Sequence, residues 1–171
     1  LNRLEGTLGY DISASIRADN KAACLVKTPS STVTDNDTLY YTTYTPNLTF
    51  PFSPLKVVRT AVMDNSACSY TIACSPIDTN HITVVYNYIN DHLLFTKAIT
   101  KVQISTNAGN NWSTPYEINP LGLINGDSSG CYGHEDVGYK PGTDDPVIVF
   151  SAEASGVELD TYRKGFKICI W

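Results

Sequence analysis

The stretch YTIACSPIDTNHITVVY, Tyr70–Tyr86, has a counterpart about sixty residues earlier in YDISASIRADNKAACLV, Tyr10–Val26. Each stretch holds a strand-like run, a polar turn with Asp and Asn, and a second apolar run. A third copy begins near Tyr132 and reaches its apolar run at PVIVF, Pro146–Phe150. A strand-filled unit that recurs at such a spacing is typical of a propeller or another repeat array.

A further strand-like segment follows each copy, so we predict one all-β domain over residues 1–171 with propeller-like repeats of about four strands. The predicted units are residues 10–58, 68–118 and 132–171, with a connector at 119–130. The third unit ends after its third strand, whereas closed propellers have about four to eight blades. Either the chain associates with copies of itself or with other segments to complete the ring, or the domain is a β-sandwich of about ten strands.

The composition supports the all-β prediction and excludes several functions. Tyr and Thr, which favour strands, are frequent, and no long stretch has helical periodicity. The net charge is −5 and the 12 Lys and Arg residues are scattered, so the basic patch of a nucleic-acid-binding protein is missing. No apolar run is long enough for a membrane span, and no signal peptide is visible.

The segment STNAGNNW, Ser105–Trp112, lies between two predicted strands of the second unit. It resembles the Asp box, or BNR repeat, of sialidase-like propellers, whose pattern is Ser-x-Asp-x-Gly-x-x-Trp. Ser105, Gly109 and Trp112 match this pattern, and Asn107 stands where the family has Asp. We expect Asn107 to bind backbone N–H groups of its own turn, Gly109 to supply a positive φ, and Trp112 to be largely buried. In that family the box is structural, so the resemblance implies an architecture and not a reaction.

The catalytic pattern of the sialidases is not recognisable here, because the chain has only four Arg residues and no Arg-Ile-Pro motif. We therefore transfer no catalytic residue. The best remaining acid and base candidates are carboxylates at the start of a unit: Glu135, Asp136 and Asp64. The best ligand-binding candidates are Tyr132, His134 and Asp136. Such residues can equally bind Ca²⁺ or be solvated residues at strand ends. The pair Asp144-Asp145 is interpreted as part of a turn.

No cofactor and no metal site is predicted, apart from that Ca²⁺ alternative, because no zinc-ligand spacing occurs. The five cysteines form either two disulfides with one free thiol or five buried thiols. They are Cys24, Cys68, Cys74, Cys131 and Cys169. The leading functional hypothesis is a non-catalytic module that binds glycan or other protein chains in a secreted, extracellular or virion-surface assembly. A fragment of a glycoside hydrolase is the alternative.

Overall fold

The computed structural model describes residues 12–28, 38–46, 48–49, 52–59, 70–89, 98–118, 129–131, 135–154 and 167–170. Within these ranges the regular structure is β throughout: twelve strands form three antiparallel sheets, and no helix occurs. The all-β prediction is confirmed. The three sheets formed by the described strands do not close into a ring. In these ranges there is no helix with the length and hydrophobicity that a membrane span requires.

Sheet 1 is an antiparallel meander in chain order. Its strands are β1 (Ile12–Ile16), β2 (Ala22–Thr28), β3 (Thr38–Tyr44) and β4 (Lys56–Arg59). The turn between β1 and β2 contains Asn20 at φ 61°, a left-handed conformation that Asn tolerates better than most residues. The alternation of side chains along each strand then sets two faces for the sheet.

Sheet 2 repeats this topology. Its strands are β5 (Tyr70–Cys74), β6 (Ile82–Ile89), β7 (Ala98–Ser105) and β8 (Tyr116–Ile118), again paired in chain order. The β5–β6 turn comprises the polar residues between Cys74 and Ile82, and the β7–β8 turn comprises the segment predicted as an Asp box. The two turns lie at the same end of the sheet, joined by a 3.0 Å hydrogen bond from Ala108 N to Asn80 O.

Sheet 3 contains β9 (Ser129–Cys131), β10 (Asp136–Tyr139), β11 (Pro146–Ala154) and β12 (Lys167–Ile170). β9 lies in the segment predicted as a connector, so the third unit extends further towards the N-terminus than the sequence indicates.

The pairing in sheet 3 shows that it is only three strands wide. β12 pairs with β11 between Val149 and Ala152. Val149 also pairs with β10, and Ala152 also pairs with β9. Because a strand pairs with one neighbour on each edge, β10 and β9 both lie on the edge of β11 opposite to β12. β9 therefore continues β10 along one edge, and among the described residues sheet 3 has no counterpart of β4 or β8.

Sheet 2 is packed between the other two sheets. One buried cluster lies between sheets 1 and 2 and includes Leu25, Tyr41, Val84 and Tyr86. A second cluster lies between sheets 2 and 3 and joins Val85 and other residues of sheet 2 to three residues of sheet 3, namely Val137, Ile148 and Phe150. β6 is therefore buried on both faces, and full burial of each large apolar side chain stabilises the fold by about 1.5–3 kcal/mol.

The second strands of the three sheets are equivalent, as predicted from the apolar runs 24–26, 84–86 and 148–150. β2, β6 and β11 each lie second in their sheet. In every run the middle side chain points away from its two neighbours. Leu25 and Val85 are fully buried against the following sheet, whereas Val149 is 37% exposed. The prediction of burial is wrong at Val149, because no described residue forms a fourth sheet over that face.

Two of the cysteines are described with their side chains. Cys24 and Cys74 are free and buried, and burial raises the pKa of the Cys74 thiol to about 11. A thiol kept protonated in this way is a poor nucleophile. At these two positions the structure agrees with the buried-thiol alternative. The Cys131 and Cys169 side chains and the whole of Cys68 lie outside the described part.

Candidate functional site

The β7–β8 turn is held together by two side chains. Ser105 Oγ accepts a 2.8 Å hydrogen bond from Gly109 N and donates to Asn107 Oδ1 at 3.0 Å. Asn107 Oδ1 also accepts a 2.8 Å bond from Asn111 N, as expected for this residue. Ala108 and Gly109 have φ values of 58° and 79°. The turn thus depends on short polar side chains that satisfy its own backbone.

Trp112 connects this turn to sheet 1. Its ring lies edge-on to Tyr41, with ring centroids 5.6 Å apart and an interplanar angle of 71°, which is a favourable aromatic geometry. Trp112 is partly buried against the cluster between sheets 1 and 2. Its indole Nε1 is inaccessible to solvent and has no hydrogen-bond acceptor among the described residues. The turn is therefore a packing element between two sheets.

The candidate catalytic and ligand-binding residues are not brought together by the described structure. Glu135 is buried, and Thr100 Oγ1 donates to its Oε1 at 3.4 Å. Asp136 is exposed, and its Oδ1 accepts a 2.9 Å bond from Val137 N. Neighbouring residues of an extended segment point to opposite faces, so these two carboxylates do not converge. The other candidates lie outside the described residues: Asp64, Tyr132 and His134.

A different group of polar residues does converge. We call Asp78, His81 and Asp144 the cross-sheet cluster, because the first two come from the β5–β6 turn and the third from the β10–β11 turn. His81 Nδ1 lies 3.2 Å from Asp78 Oδ2 and 3.6 Å from Asp144 Oδ2. The ligand atoms of all three side chains lie within 4.8 Å of one another, and the side chains are about one-third exposed.

Hydrogen bonds from the protein orient both carboxylates of this cluster. The buried Ser75 hydroxyl donates to Asp144 Oδ1 and itself accepts hydrogen bonds from the N–H groups of Ile77, at 3.1 Å, and Asp78, at 3.0 Å. Asn80 N donates to Asp78 Oδ1 at 2.8 Å, and this bond lowers the pKa of the Asp78 carboxyl. Each carboxylate thus uses Oδ1 for the protein and directs Oδ2 towards His81.

Sequence reasoning missed this cluster. Asp78 and His81 were seen only as part of a polar turn, and Asp144 was interpreted as turn chemistry. The visible signal is an Asp-x-x-His pair inside a tight turn, which places both side chains on one side. The third ligand comes from another unit of the repeat, and only the packing of sheet 3 on sheet 2 brings it close.

The outer face of sheet 3 forms a shallow groove of about 340 Å³. The apolar side chains of its lining include Pro141, Val147 and Val149, and Gly138 leaves space between them. Asp136 and Lys140 contribute the polar part of the lining. The groove follows the face that, in sheets 1 and 2, is covered by the next sheet.

The sequence matches no protein-family model and has no significant match among curated proteins. The described residues define the class of protein as an all-β protein of three stacked antiparallel sheets.

Proposed function

We propose that this chain is a non-catalytic assembly module whose three sheets are consecutive blades of a propeller-like stack, completed by a second copy of the chain. The observation that carries the proposal is the difference in exposure at one equivalent position. Leu25 and Val85 are fully buried by the following sheet, whereas Val149 at the same position of sheet 3 is exposed. The outer face of sheet 3, which corresponds to the covered faces of sheets 1 and 2, is therefore exposed in the single chain.

The order of the strands also supports a blade arrangement. β5 contacts both β1 and β10, which are the first strands of the neighbouring sheets. Blades of a propeller meet in this way, with equivalent strands side by side around a central channel. The same contact pattern gives the stack a direction, from sheet 1 through sheet 2 to sheet 3.

The outer face of sheet 1 supplies a matching surface. Ile16 is 67% exposed, and it points away from sheet 2 because its neighbour Ser15 accepts a hydrogen bond from Cys74 N of that sheet. Val57 is 50% exposed, whereas Val58 is buried in the cluster facing sheet 2. On the same face, Cys24 and Val26 of the central strand β2 are already buried in the single chain, so the exposed apolar side chains of this face lie on its edge strands.

A second copy covers both terminal faces by repeating one kind of contact. Sheet 3 of each copy packs on sheet 1 of the other, as sheet 2 packs on sheet 1 within the chain. Two such contacts close a ring of six sheets, a number within the about four to eight that propellers use. A stable association of this kind buries roughly 1,000 Å² or more.

Light scattering coupled to size-exclusion chromatography tests the proposal. We expect a mass twice the 18.7 kDa of the chain at micromolar concentration. Val149→Asp and Ile16→Asp place a charge on opposite terminal faces, and each should give a monomer with an unchanged circular dichroism spectrum. Ile77→Asp is the matched control, because Ile77 is exposed in the β5–β6 turn away from both faces. A monomeric wild-type protein, or dimers that persist in both face variants, would contradict the proposal.

Catalysis of glycoside hydrolysis is not proposed. That reaction generally requires two carboxyl groups that flank one bond, and the described candidates Glu135 and Asp136 point to opposite faces. Glycan recognition remains an expectation from the resemblance to sialidase-like propellers. The described residues favour assembly, because Val149 and Ile170 on the outer face of sheet 3 and Ile16 and Val57 on the edge strands of sheet 1 are exposed.

A further inference from the structure

We propose that Asp78, His81 and Asp144 bind a divalent transition-metal cation, for which Zn²⁺ is the natural probe, and that the cation joins sheet 2 to sheet 3. The inference does not depend on the proposed assembly, because all three ligands belong to one chain. One imidazole nitrogen and two carboxylate oxygens are ligand types that Zn²⁺ uses in proteins.

The spacing of the ligand atoms fits such a cation. Zn²⁺ binds His nitrogen and carboxylate oxygen at about 2.0–2.2 Å, so neighbouring ligands of a tetrahedral site lie about 3.3–3.6 Å apart. The distances from His81 Nδ1 to Asp78 Oδ2 and Asp144 Oδ2 are 3.2 and 3.6 Å. The carboxylate ligand atoms lie within 4.8 Å of each other, so side-chain movements of about 1 Å would place all three ligands around one ion and leave the fourth position for water.

A hydrogen bond from His81 Nδ1 can reach only one of the two carboxylates of the cluster. Nδ1 of an imidazole carries one proton at most, and that proton can be donated to one carboxylate in good geometry. Asp78 Oδ2 lies within hydrogen-bonding distance of Nδ1, but Asp144 Oδ2, at 3.6 Å, lies beyond it. A cation at the centre would accept electron pairs from all three atoms at once.

The charge of the cluster also favours a dication. The two carboxylates, when ionised, contribute a charge of −2. Among the described residues, neither Asp78 nor Asp144 is ion-paired with Lys or Arg; Lys140 is paired instead with the neighbouring Asp145. A divalent ion would balance the two negative charges.

Neighbouring residues orient the two carboxylate ligands by hydrogen bonds, as outer-shell residues do at a metal site. Ser75 binds Asp144 Oδ1 and Asn80 N binds Asp78 Oδ1, which leaves both Oδ2 atoms directed towards His81. Outer-shell bonds of this kind fix the orientation of metal ligands and increase affinity. Next to the site, Thr83 Oγ1 and Tyr139 OH are hydrogen-bonded at 2.7 Å and already connect the same two sheets.

Isothermal titration of the full chain with Zn²⁺, after treatment with a chelator, tests the inference. We expect one ion per chain at this site and a melting temperature that rises with Zn²⁺ concentration. Asp144→Asn and His81→Gln should each weaken binding at least about tenfold, since removing even an outer-shell partner has an effect of about that size. Asp145→Asn is the matched control: it changes the same charge one residue away, on an exposed side chain, and should leave binding unchanged.

The cysteine thiols are a competing source of Zn²⁺ ligands. The absorption spectrum of the Co²⁺ complex distinguishes a cysteine site from the cross-sheet cluster. Co²⁺ bound at the cross-sheet cluster should give a spectrum without a thiolate charge-transfer band. Should Asp144→Asn not fold, Asp78→Asn provides the same test from the other turn. Absence of binding at millimolar Zn²⁺, a thiolate band, or equal affinity in the wild type, His81→Gln and Asp145→Asn would each overturn the inference.

Discussion

The ring of Tyr41 lies directly against the backbone of Gly109, so that a Cβ atom added at position 109 would be 2.2 Å from Tyr41 Cε1. Tyr41 is a fully buried residue of β3 in sheet 1, and Gly109 belongs to the β7–β8 turn of sheet 2. This contact and the edge-on Trp112 ring fix the position of the turn against the neighbouring sheet.

Gly109→Ala should therefore destabilise the protein by about 2–5 kcal/mol. A left-handed backbone costs a non-Gly residue about 1–2 kcal/mol, and overpacking against the fully buried Tyr41 ring adds about 1–3 kcal/mol. Gly142→Ala is the control, since Gly142 has φ 74° and nothing within 4 Å of the added Cβ. Urea unfolding of both variants measures the difference; equal losses would show that the contact with Tyr41 is unimportant.

Asn107→Asp should preserve stability, whereas Asn107→Ala should lose about 1 kcal/mol. The carboxylate of Asp keeps the oxygen that accepts from Asn111 N and Ser105 Oγ, and Ala removes it. Asn111→Ala is the control, because the bond uses only the Asn111 backbone. Thermal unfolding compares the three variants. If the Asp and Ala variants were equally destabilised, the side-chain acceptor would not hold the turn.

Trp112→Phe should lower the free energy of unfolding much less than Trp112→Ala does. The smaller ring still packs against Tyr41, and the change removes a buried indole N–H without an acceptor among the described residues, so the lost area is partly offset. Trp112 is only partly buried, so the Ala variant should fall at or below the lower end of the about 3–5 kcal/mol for a fully buried aromatic. Equal losses in urea unfolding of the two variants would contradict this expectation.

The three sheets could be predicted from the sequence, but the cross-sheet cluster could not. Short apolar runs between Asx-containing and Gly-containing turns have local causes, so β2, β6 and β11 could be recognised as equivalent. Hydrogen bonding by Asn107 could also be predicted, because the turn is closed by residues next to it in the chain. The cross-sheet cluster has no such local cause: Asp78 and Asp144 are 66 residues apart in the sequence and meet only because two sheets stack.

The exposure of Val149 shows that packing between sheets, like the cross-sheet cluster, has no local cause in the sequence. Its run resembles those around Leu25 and Val85, and a strand pattern cannot tell whether a neighbouring sheet follows. The difference depends on whether another sheet packs on the strand, and among the described residues no sheet packs on the outer face of sheet 3. The prediction that Val149 is buried is therefore wrong for the single chain, and only the proposed second copy would cover this side chain.

Alkaline pH should weaken the contact between sheets 2 and 3. Burial, together with the nearby Asp144 and Asp78 carboxylates, raises the pKa of Tyr139 from 10.0 to about 12. The unfolded chain therefore ionises this phenol at lower pH than the folded protein does. The contribution of Tyr139 to stability is fully present below about pH 10 and is lost as the pH rises towards 12.

Urea unfolding between pH 9 and pH 12 measures this loss in the wild type and in Tyr139→Phe. The Phe variant has no phenol to ionise, so its free energy of unfolding should fall less steeply above pH 10, although it lacks the hydrogen bond to Thr83 at every pH. Tyr116→Phe, at an exposed position of β8, is the control and should follow the wild type. Parallel curves for the wild type and Tyr139→Phe would show that the Tyr139 phenol does not couple ionisation to the packing of these sheets.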